Sequence, residues 1–184
     1  MKVIGSIIAR LGSKRLPYKN LLPFGSKTML QLGIEKLQQL QLVNEIIVST
    51  ESELIARTVA PMGIKILRRP SELAQDNVPS IPVFQHILKH YHGDVHVNLN
   101  INFALCQPEV IDRAIEIALE KGESLSKPYA VWAQTSQRLF NYGDFWKLPE
   151  PFDDPRAGAI DIHTEEDLLN ALRITQGKLE GWNL

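Results

Sequence analysis

Arg10, Gly12, Ser13, Lys14, Arg15, Lys19 and Asn20 crowd into one short stretch that directly follows an apolar, branched run from Val3 to Ala9. That run reads as a short buried strand, and Gly12 and Pro17 make the cationic stretch a loop. In an open α/β sheet, ligands bind at the carboxyl ends of the strands. Cations, free backbone amides and a glycine that lets the chain approach suit a polyphosphate. The plainer alternative is a solvated basic loop. The stretch is not a Walker loop: Gly25-Ser26-Lys27-Thr28 imitates the end of that motif, but the earlier glycine is missing. Those four residues are expected to form a turn into a helix that begins near Thr28.

Elements that could position such a loop alternate along the chain. Strands are expected over Glu45–Thr50, Ile64–Leu67, Val95–Leu99, Tyr129–Ala133 and Ala159–Ile162. Between them, helical spacing is expected from Thr28 to about Leu40, over Glu53–Ala60, from Pro79 to about Tyr91, and over Pro108–Lys121 with proline in its first turn. Thr164 followed by Glu165, Glu166 and Asp167 opens a last helix as a cap with first-turn acids. This alternation predicts an α/β fold with helices on the faces of a sheet, and all 184 residues are read as one domain.

Composition narrows the partners. Twenty Lys and Arg against twenty-one Asp and Glu give a formal charge of −1, which argues against nucleic acid and against a polybasic membrane patch. The lone Cys106 cannot pair internally, no apolar run approaches a membrane span, and Met1–Ala9 lacks the pattern of a signal peptide; a cytoplasmic location is expected. His86 and His90 stand four apart on a predicted helix without the acid of a His-Glu-x-x-His motif, and they read better as helix-end histidines. Trp132, Phe140, Tyr142, Phe145, Trp146 and Phe152 form a late aromatic cluster, read as core or dimer surface, with a sugar-stacking wall as the alternative.

The basic loop resembles one family closely. Ala9-Arg10-x-Gly12-Ser13-Lys14-x-x-Pro17-x-Lys19-Asn20, continued by Leu21-Leu22-Pro23-Phe24-Gly25, is similar to the signature of the cytidylyltransferases that make CMP-activated sugar acids, the CMP-sialate and CMP-Kdo synthetases. Tyr18 stands where relatives usually carry Gly. A second landmark, Arg68-Arg69-Pro70-x-x-Leu73-Ala74-x-Asp76 with Ser80 after it, also resembles the family; Arg69 is otherwise read as a surface arginine paired with Glu72. A third, Asp161-Ile162-His163-Thr164-Glu165-Glu166-Asp167-Leu168, is similar to the family's Asp-x-Asp-Thr-x-Glu-Asp-Leu.

The resemblance implies a three-layer, Rossmann-like nucleotidyltransferase domain of the GT-A-like kind with a mostly parallel sheet. It implies CMP transfer from CTP to a sugar acid for cell-surface polysaccharide synthesis, with pyrophosphate released and with the family's homodimer. Arg10, Lys19 and Asp161 would be catalytic. Arg10, Gly12, Ser13, Lys14, Asn20, Arg69, Ser80 and Asn100 would bind the nucleotide, and Asp161 would hold Mg2+. Asn102 and His163 occupy positions of family acids, and an imidazole suits manganese or zinc better than magnesium. Residues 122–157 form a shortened, divergent segment. The alternatives are a catalytically impaired nucleotide- or nucleotide-sugar-binding relative that serves as a sensor or partner protein, and a guanylyl- or uridylyltransferase on the same fold.

Overall fold

A computed structural model describes residues 1–177. Its centre is β1 (Val3–Ile8), paired in parallel with β4 (Glu45–Thr50) on one side and β6 (Val95–Leu99) on the other. A hairpin of β2 (Pro23–Phe24) and β3 (Lys27–Thr28) leads into α1 (Met29–Gln38). After β4 come α2 (Glu53–Val59), β5 (Lys65–Arg68) and α3 (Ser80–His90). After β6 come α4 (Pro108–Lys121), β7 (Glu123–Lys127), β8 (Val131–Thr135), α5 (Ser136–Phe140), β9 (Phe152–Asp153) and α6 (Glu165–Gln176). The seven-stranded sheet runs β5-β4-β1-β6-β8-β7-β9. Within it β8 is antiparallel to both neighbours, β6 and β7, and β9 runs parallel to β7. The mostly parallel sheet with helices on both faces is the architecture the family resemblance implies.

Period-two alternation along β1 divides the core between the two faces. Val3 and Ile7 join Leu30, Ile34 and Leu37 of α1, Ile55 of α2 and Val110 and Ile111 of α4 in one buried cluster. Ile4 joins Ile81, Phe84, Ile87 and Leu88 of α3 with Trp132, Leu139 and Tyr142 in the other. Each fully buried aliphatic side chain contributes about 1.5–3 kcal/mol, so a strand flanked on both faces is the natural keel. A third cluster unites Leu16, Phe24 and Met29 with Ile162, Leu168 and Ala171, tying α6 to the basic loop and the small hairpin.

Helix starts follow their caps. Thr28 caps α1 by accepting from Gln31 N, and the Gln31 side chain returns to Thr28 N, closing a capping box. This is the turn-to-helix reading of Gly25–Thr28, with the turn made by the hairpin. Thr164 and Asp167 form a second box at α6. Gly33 answers a close approach: a Cβ there would fall 2.5 Å from Ile101 Cγ2 and 3.1 Å from Ile7 Cδ1.

The divergent segment and the stretch that follows it depart from the sequence reading. Ala159–Ile162 is expected as a strand, but the chain there is irregular: its backbone leaves the sheet, with Ile162 N donating to Asn102 O at 3.0 Å and Ile162 O accepting from Lys19 Nζ at 3.1 Å. The last sheet position belongs to β9 instead, and β7 and α5 carry too few apolar residues for periodicity to reveal them.

Buried Asp154 anchors β9 to α4. It accepts from Arg113 Nη1 at 2.9 Å, Arg156 Nη2 at 2.8 Å and Arg156 Nε at 3.0 Å. The Arg156 guanidinium above all, with Arg113, holds its carboxyl well below the usual range. A depressed carboxyl contributes stability that is present above its unfolded pKa of about 3.9 and lost as pH falls through the folded value. Asp154→Asn is therefore expected to cost about 2 kcal/mol in urea unfolding at pH 7. The gap to wild type should narrow on acidification below about pH 4.

Candidate functional site

The strand order reverses at β1: the chain returns beside it as β4 on one edge and as β6 on the other. At such a switch point neither neighbouring connection covers the strand ends, and a crevice opens. A cavity of about 680 Å³ lies there, between the carboxyl ends of β1 and β6. Ile8, Arg10, Ser13, Lys14, Arg15, Lys19 and Asn20 enter it from β1 and its loop. Asn98, Asn100, Ile101 and Asn102 enter from β6 and the turn after it. Phe84, Leu125, Ala130, Trp132, Tyr129 and Leu148 form an apolar wall, and Ser80, Asp76 and His163 complete the lining.

The basic loop is held by backbone ties rather than by glycine. Asn20 Nδ2 donates to Arg10 O at 2.8 Å, fastening the two ends of the loop to each other. Tyr18, where relatives usually carry Gly, takes the left-handed conformation at φ 54° and ψ 22°, a strain that Gly would avoid. The residue is 55% exposed. Gly12 lies outside the cavity lining, and a Cβ there would meet open space.

Lys19 is 8% exposed, and its Nζ donates to Ile162 O at 3.1 Å. Burial, set against attraction from Asp161 and reinforced by repulsion from Arg15 and Arg10, draws its pKa down to about 8. Arg10 donates to Ala74 O at 3.3 Å and pairs with Asp76; Lys14 pairs with the other oxygen of Asp76 at 2.6 Å. Lys14 and Arg10 in turn depress the Asp76 carboxyl.

The structure places Arg69 differently from the sequence reading. It is buried, outside the main cavity, and pairs with Glu51 rather than Glu72: Nη2 lies 3.0 Å from Glu51 Oε2 and 3.2 Å from Ala9 O. Glu51 Oε1 also accepts from Leu11 N at 2.8 Å. Arg69 thus clamps the end of β1 and the start of the basic loop, and reaches the site through them. Arg10, Ser13, Lys14, Asn20, Ser80 and Asn100 all face the cavity, as does Lys19.

The turn after β6 is equally fixed. Asn100 N donates to Ala130 O at 2.8 Å, and Asn102 N donates to Asn100 Oδ1 at 3.2 Å. Half-buried Lys36 of α1 donates to Ala104 O and, at 2.7 Å, to Cys106 O, securing the turn from below. The third landmark contributes His163 to the lining, whereas Asp161 lies outside it and contacts His163 Nε2 through Oδ1 at 2.9 Å. Asn102 is neutral, and no group of three or more His, Cys, Asp or Glu side chains among the described residues is placed to hold a metal. Asp161 is the one carboxylate the family resemblance assigns to magnesium, and an ion there would take its remaining oxygen ligands from substrate phosphates and water.

Sequence reasoning did not single out Asn98, Asp76 or Phe84 for the site. Asn98 alternates with apolar residues on β6 and Phe84 belongs to the apolar stripe of α3, so each carries a structural signal as well. Asp76 lay inside the second landmark, but its partners Arg10 and Lys14 are more than sixty positions away.

A family profile described as cytidylyltransferase matches residues 4–146, which carry the basic loop, both sheet edges of the cavity and all of its apolar wall but Leu148. The chain belongs to the cytidylyltransferase family. Its relatives include enzymes named for CMP-activated sugar acids. One is a 3-deoxy-manno-octulosonate cytidylyltransferase of Bdellovibrio bacteriovorus, 30% identical over 65% of this chain and 47% of that protein. Another is a CMP-N,N'-diacetyllegionaminic acid synthase of Legionella pneumophila, 30% identical over 84% of this chain and 69% of that protein. In fold, this cytidylyltransferase-family chain is similar to a solved CMP:2-keto-3-deoxy-manno-octonic acid synthetase complexed with CTP. That match has a TM-score of 0.77 at 17% identity and covers 97% of this chain and all of that one. The chain spans about half the length, or less, of most curated relatives it matches.

Asp76 already occupies Arg10 and Lys14 as an internal anion, so a polyphosphate must compete with it. Asp76→Asn is expected to tighten inorganic tripolyphosphate about threefold to tenfold at low salt, with the gain shrinking as salt rises. Isothermal titration of both proteins measures this, with Glu72→Gln as the charge-matched control.

Proposed function

We propose that this protein transfers CMP from CTP to a sugar acid of the 2-keto-3-deoxy class and releases pyrophosphate. The observation that carries the reading is the single cavity face where Arg10, Lys14, Arg15 and Lys19 stand opposite an apolar and amide-bearing wall. The cationic side suits a triphosphate; the wall of Phe84 and Trp132 with Asn98 suits a ring bearing hydroxyl and carboxylate groups. The relatives named for CMP-sugar acids support the same pairing of substrates.

In this reaction a hydroxyl oxygen of the sugar acid bonds to the α-phosphorus of CTP and gives up its proton to solvent, the bond from that phosphorus to the bridging oxygen of the β-phosphate breaks, and pyrophosphate leaves. Catalysis of such a step is mainly alignment and neutralisation of developing negative charge. Arg10, Lys14 and Lys19 would supply the positive field, with Ser13 and the loop amides as hydrogen-bond donors. Asn20 would keep the loop closed, while Ser80 and Asn100 would frame the nucleoside. The ordered ties of Lys19 to Ile162 and of Arg69 to Ala9 hold the two ends of the loop ready, while Arg10 and Lys14 must exchange Asp76 for phosphate on binding.

The paired Asp161 and His163, and the neutral Asn102, favour a second reading in which a nucleotide is bound without turnover. Pyrophosphate release decides between them. CTP with a panel of eight- and nine-carbon 3-deoxy-2-ulosonic acids, in magnesium-containing buffer, should release pyrophosphate only when both substrates are present. Lys19→Ala should then lower kcat/KM by about 10²–10³-fold. CTP binding without pyrophosphate release would establish the second reading instead.

The lowered Lys19 pKa gives a further expectation. The ammonium is charged below about 8 and loses its proton above it. CTP affinity should therefore weaken by up to about tenfold between pH 7 and 9 in magnesium-containing buffer, where the charge on the triphosphate changes little. Titrations across that range should show the slope in wild type and lose it in Lys19→Met.

A further inference from the structure

Beneath the cavity runs a chain of buried polar side chains that the reaction above does not use. His96 on β6 is fully buried, with Phe84 against its ring at a centroid distance of 4.6 Å. Its Nε2 lies 2.8 Å from Ser6 Oγ on β1, and its Nδ1 lies 3.2 Å from Gln134 Oε1 on β8. Ser6 Oγ is also 3.2 Å from Asn98 Oδ1, and Asn98, 6% exposed, lines the cavity. Four side chains from three adjacent strands thus lead from the sheet interior to the site. Burial draws His96 down to about 4, so its ring is neutral at physiological pH and carries one proton.

Counting protons fixes the direction of the chain. Ser6 has one hydroxyl proton and cannot donate to both His96 and Asn98. If His96 carries its proton on Nδ1 and gives it to Gln134 Oε1, Ser6 must donate to Nε2, and Asn98 must turn its amide to donate to Ser6. Gln134 Nε2 then stays buried without a hydrogen-bond partner, as it stands among the described residues. If instead the Gln134 amide turns over, its Nε2 donates to Nδ1 and His96 Nε2–H donates to Ser6. Ser6 then donates to Asn98 Oδ1, and the group left over is a carbonyl oxygen. A buried unpaired donor is rarer and costlier than an under-used carbonyl.

We infer that Gln134, His96 and Ser6 form a one-way hydrogen-bond relay that holds Asn98 with its oxygen inward and its NH2 donating into the cavity, where it reads a carboxylate or hydroxyl oxygen of the sugar acid. The identity of that ligand rests on the proposed function; the direction of the relay does not. Trp132, the register partner of Asn98 on β8, stands beside it, so an apolar ring face and an amide donor sit together, as a sugar ring requires. Asn98 is the residue that touches the substrate and its three supports are positioning residues; none is needed to hold phosphate.

The direct test is the tautomer of His96, read from long-range proton–nitrogen correlations of the full chain labelled with 15N-histidine. The proton is expected on Nε2; a proton on Nδ1 overturns the inference whatever the protein binds. In kinetics, Asn98→Ala and the milder Ser6→Ala should each raise KM for the ulosonic acid about tenfold, leaving KM for CTP within about twofold. An unchanged ulosonic-acid KM in both variants also overturns it. If wild type turns over no ulosonic acid, the sugar-acid ligand falls together with the proposed function, while the tautomer still decides the relay.

Discussion

The reversal of strand order at β1 is the constraint on which the rest of the structure depends. Because β4 and β6 flank β1 and both run parallel to it, the carboxyl end of β1 opens into a crevice that neither crossover covers. Whatever sequence follows Ile8 becomes the floor of that crevice. Here it is a loop of four cations, and the fold spends its interactions on keeping it in place: Arg69 and Glu51 at its start, Asn20 to Arg10 across it, Lys19 to Ile162 at its end. α6 and the small hairpin pack on the same loop through Leu16, Phe24 and Met29.

Concentrating positive charge in a partly buried site is unfavourable without counter-charge, and the chain supplies it internally. Asp76 bridges Arg10 and Lys14, Asp161 lies near Lys19, and Glu51 neutralises Arg69. Lys19 still loses affinity for its proton, because burial outweighs the attraction of Asp161. An incoming polyanion would replace the pairing with Asp76 and raise the Lys19 pKa again, so the site suits a ligand more strongly charged than a carboxylate. Asn102 is neutral and Asp161 contacts His163, so in the described residues the charge facing the cavity comes mainly from the side-chain cations.

Much of this was legible in the sequence because it is local. The apolar run, the cation spacing and the caps at Thr28 and Thr164 are each contained within a few residues, and the first strand, the loop and both helix starts stand as expected. What was not legible depends on residues far apart. Arg69 pairs across eighteen positions with Glu51, and the Glu72 expected from sequence proximity is left aside. Asp76 finds its cations across the sheet, and Ser6, His96, Gln134 and Asn98 become one chain of hydrogen bonds through strand register. Ala159–Ile162 looked like a strand because its apolar residues alternate with others, but they bury against α6 and the basic loop rather than in the sheet. Gly12 drew attention by its type, whereas the backbone strain sits at Tyr18.

The central claim is that this crevice is a nucleotide site selective for cytidine. Calorimetric titration of the purified protein with CTP, UTP, ATP and GTP, each with and without magnesium, tests it most directly. The account predicts that CTP binds with a preference of at least about tenfold over the other three, and that Lys14→Ala and Lys19→Ala weaken that binding. Equal affinity for all four nucleotides, or binding to none, would contradict it.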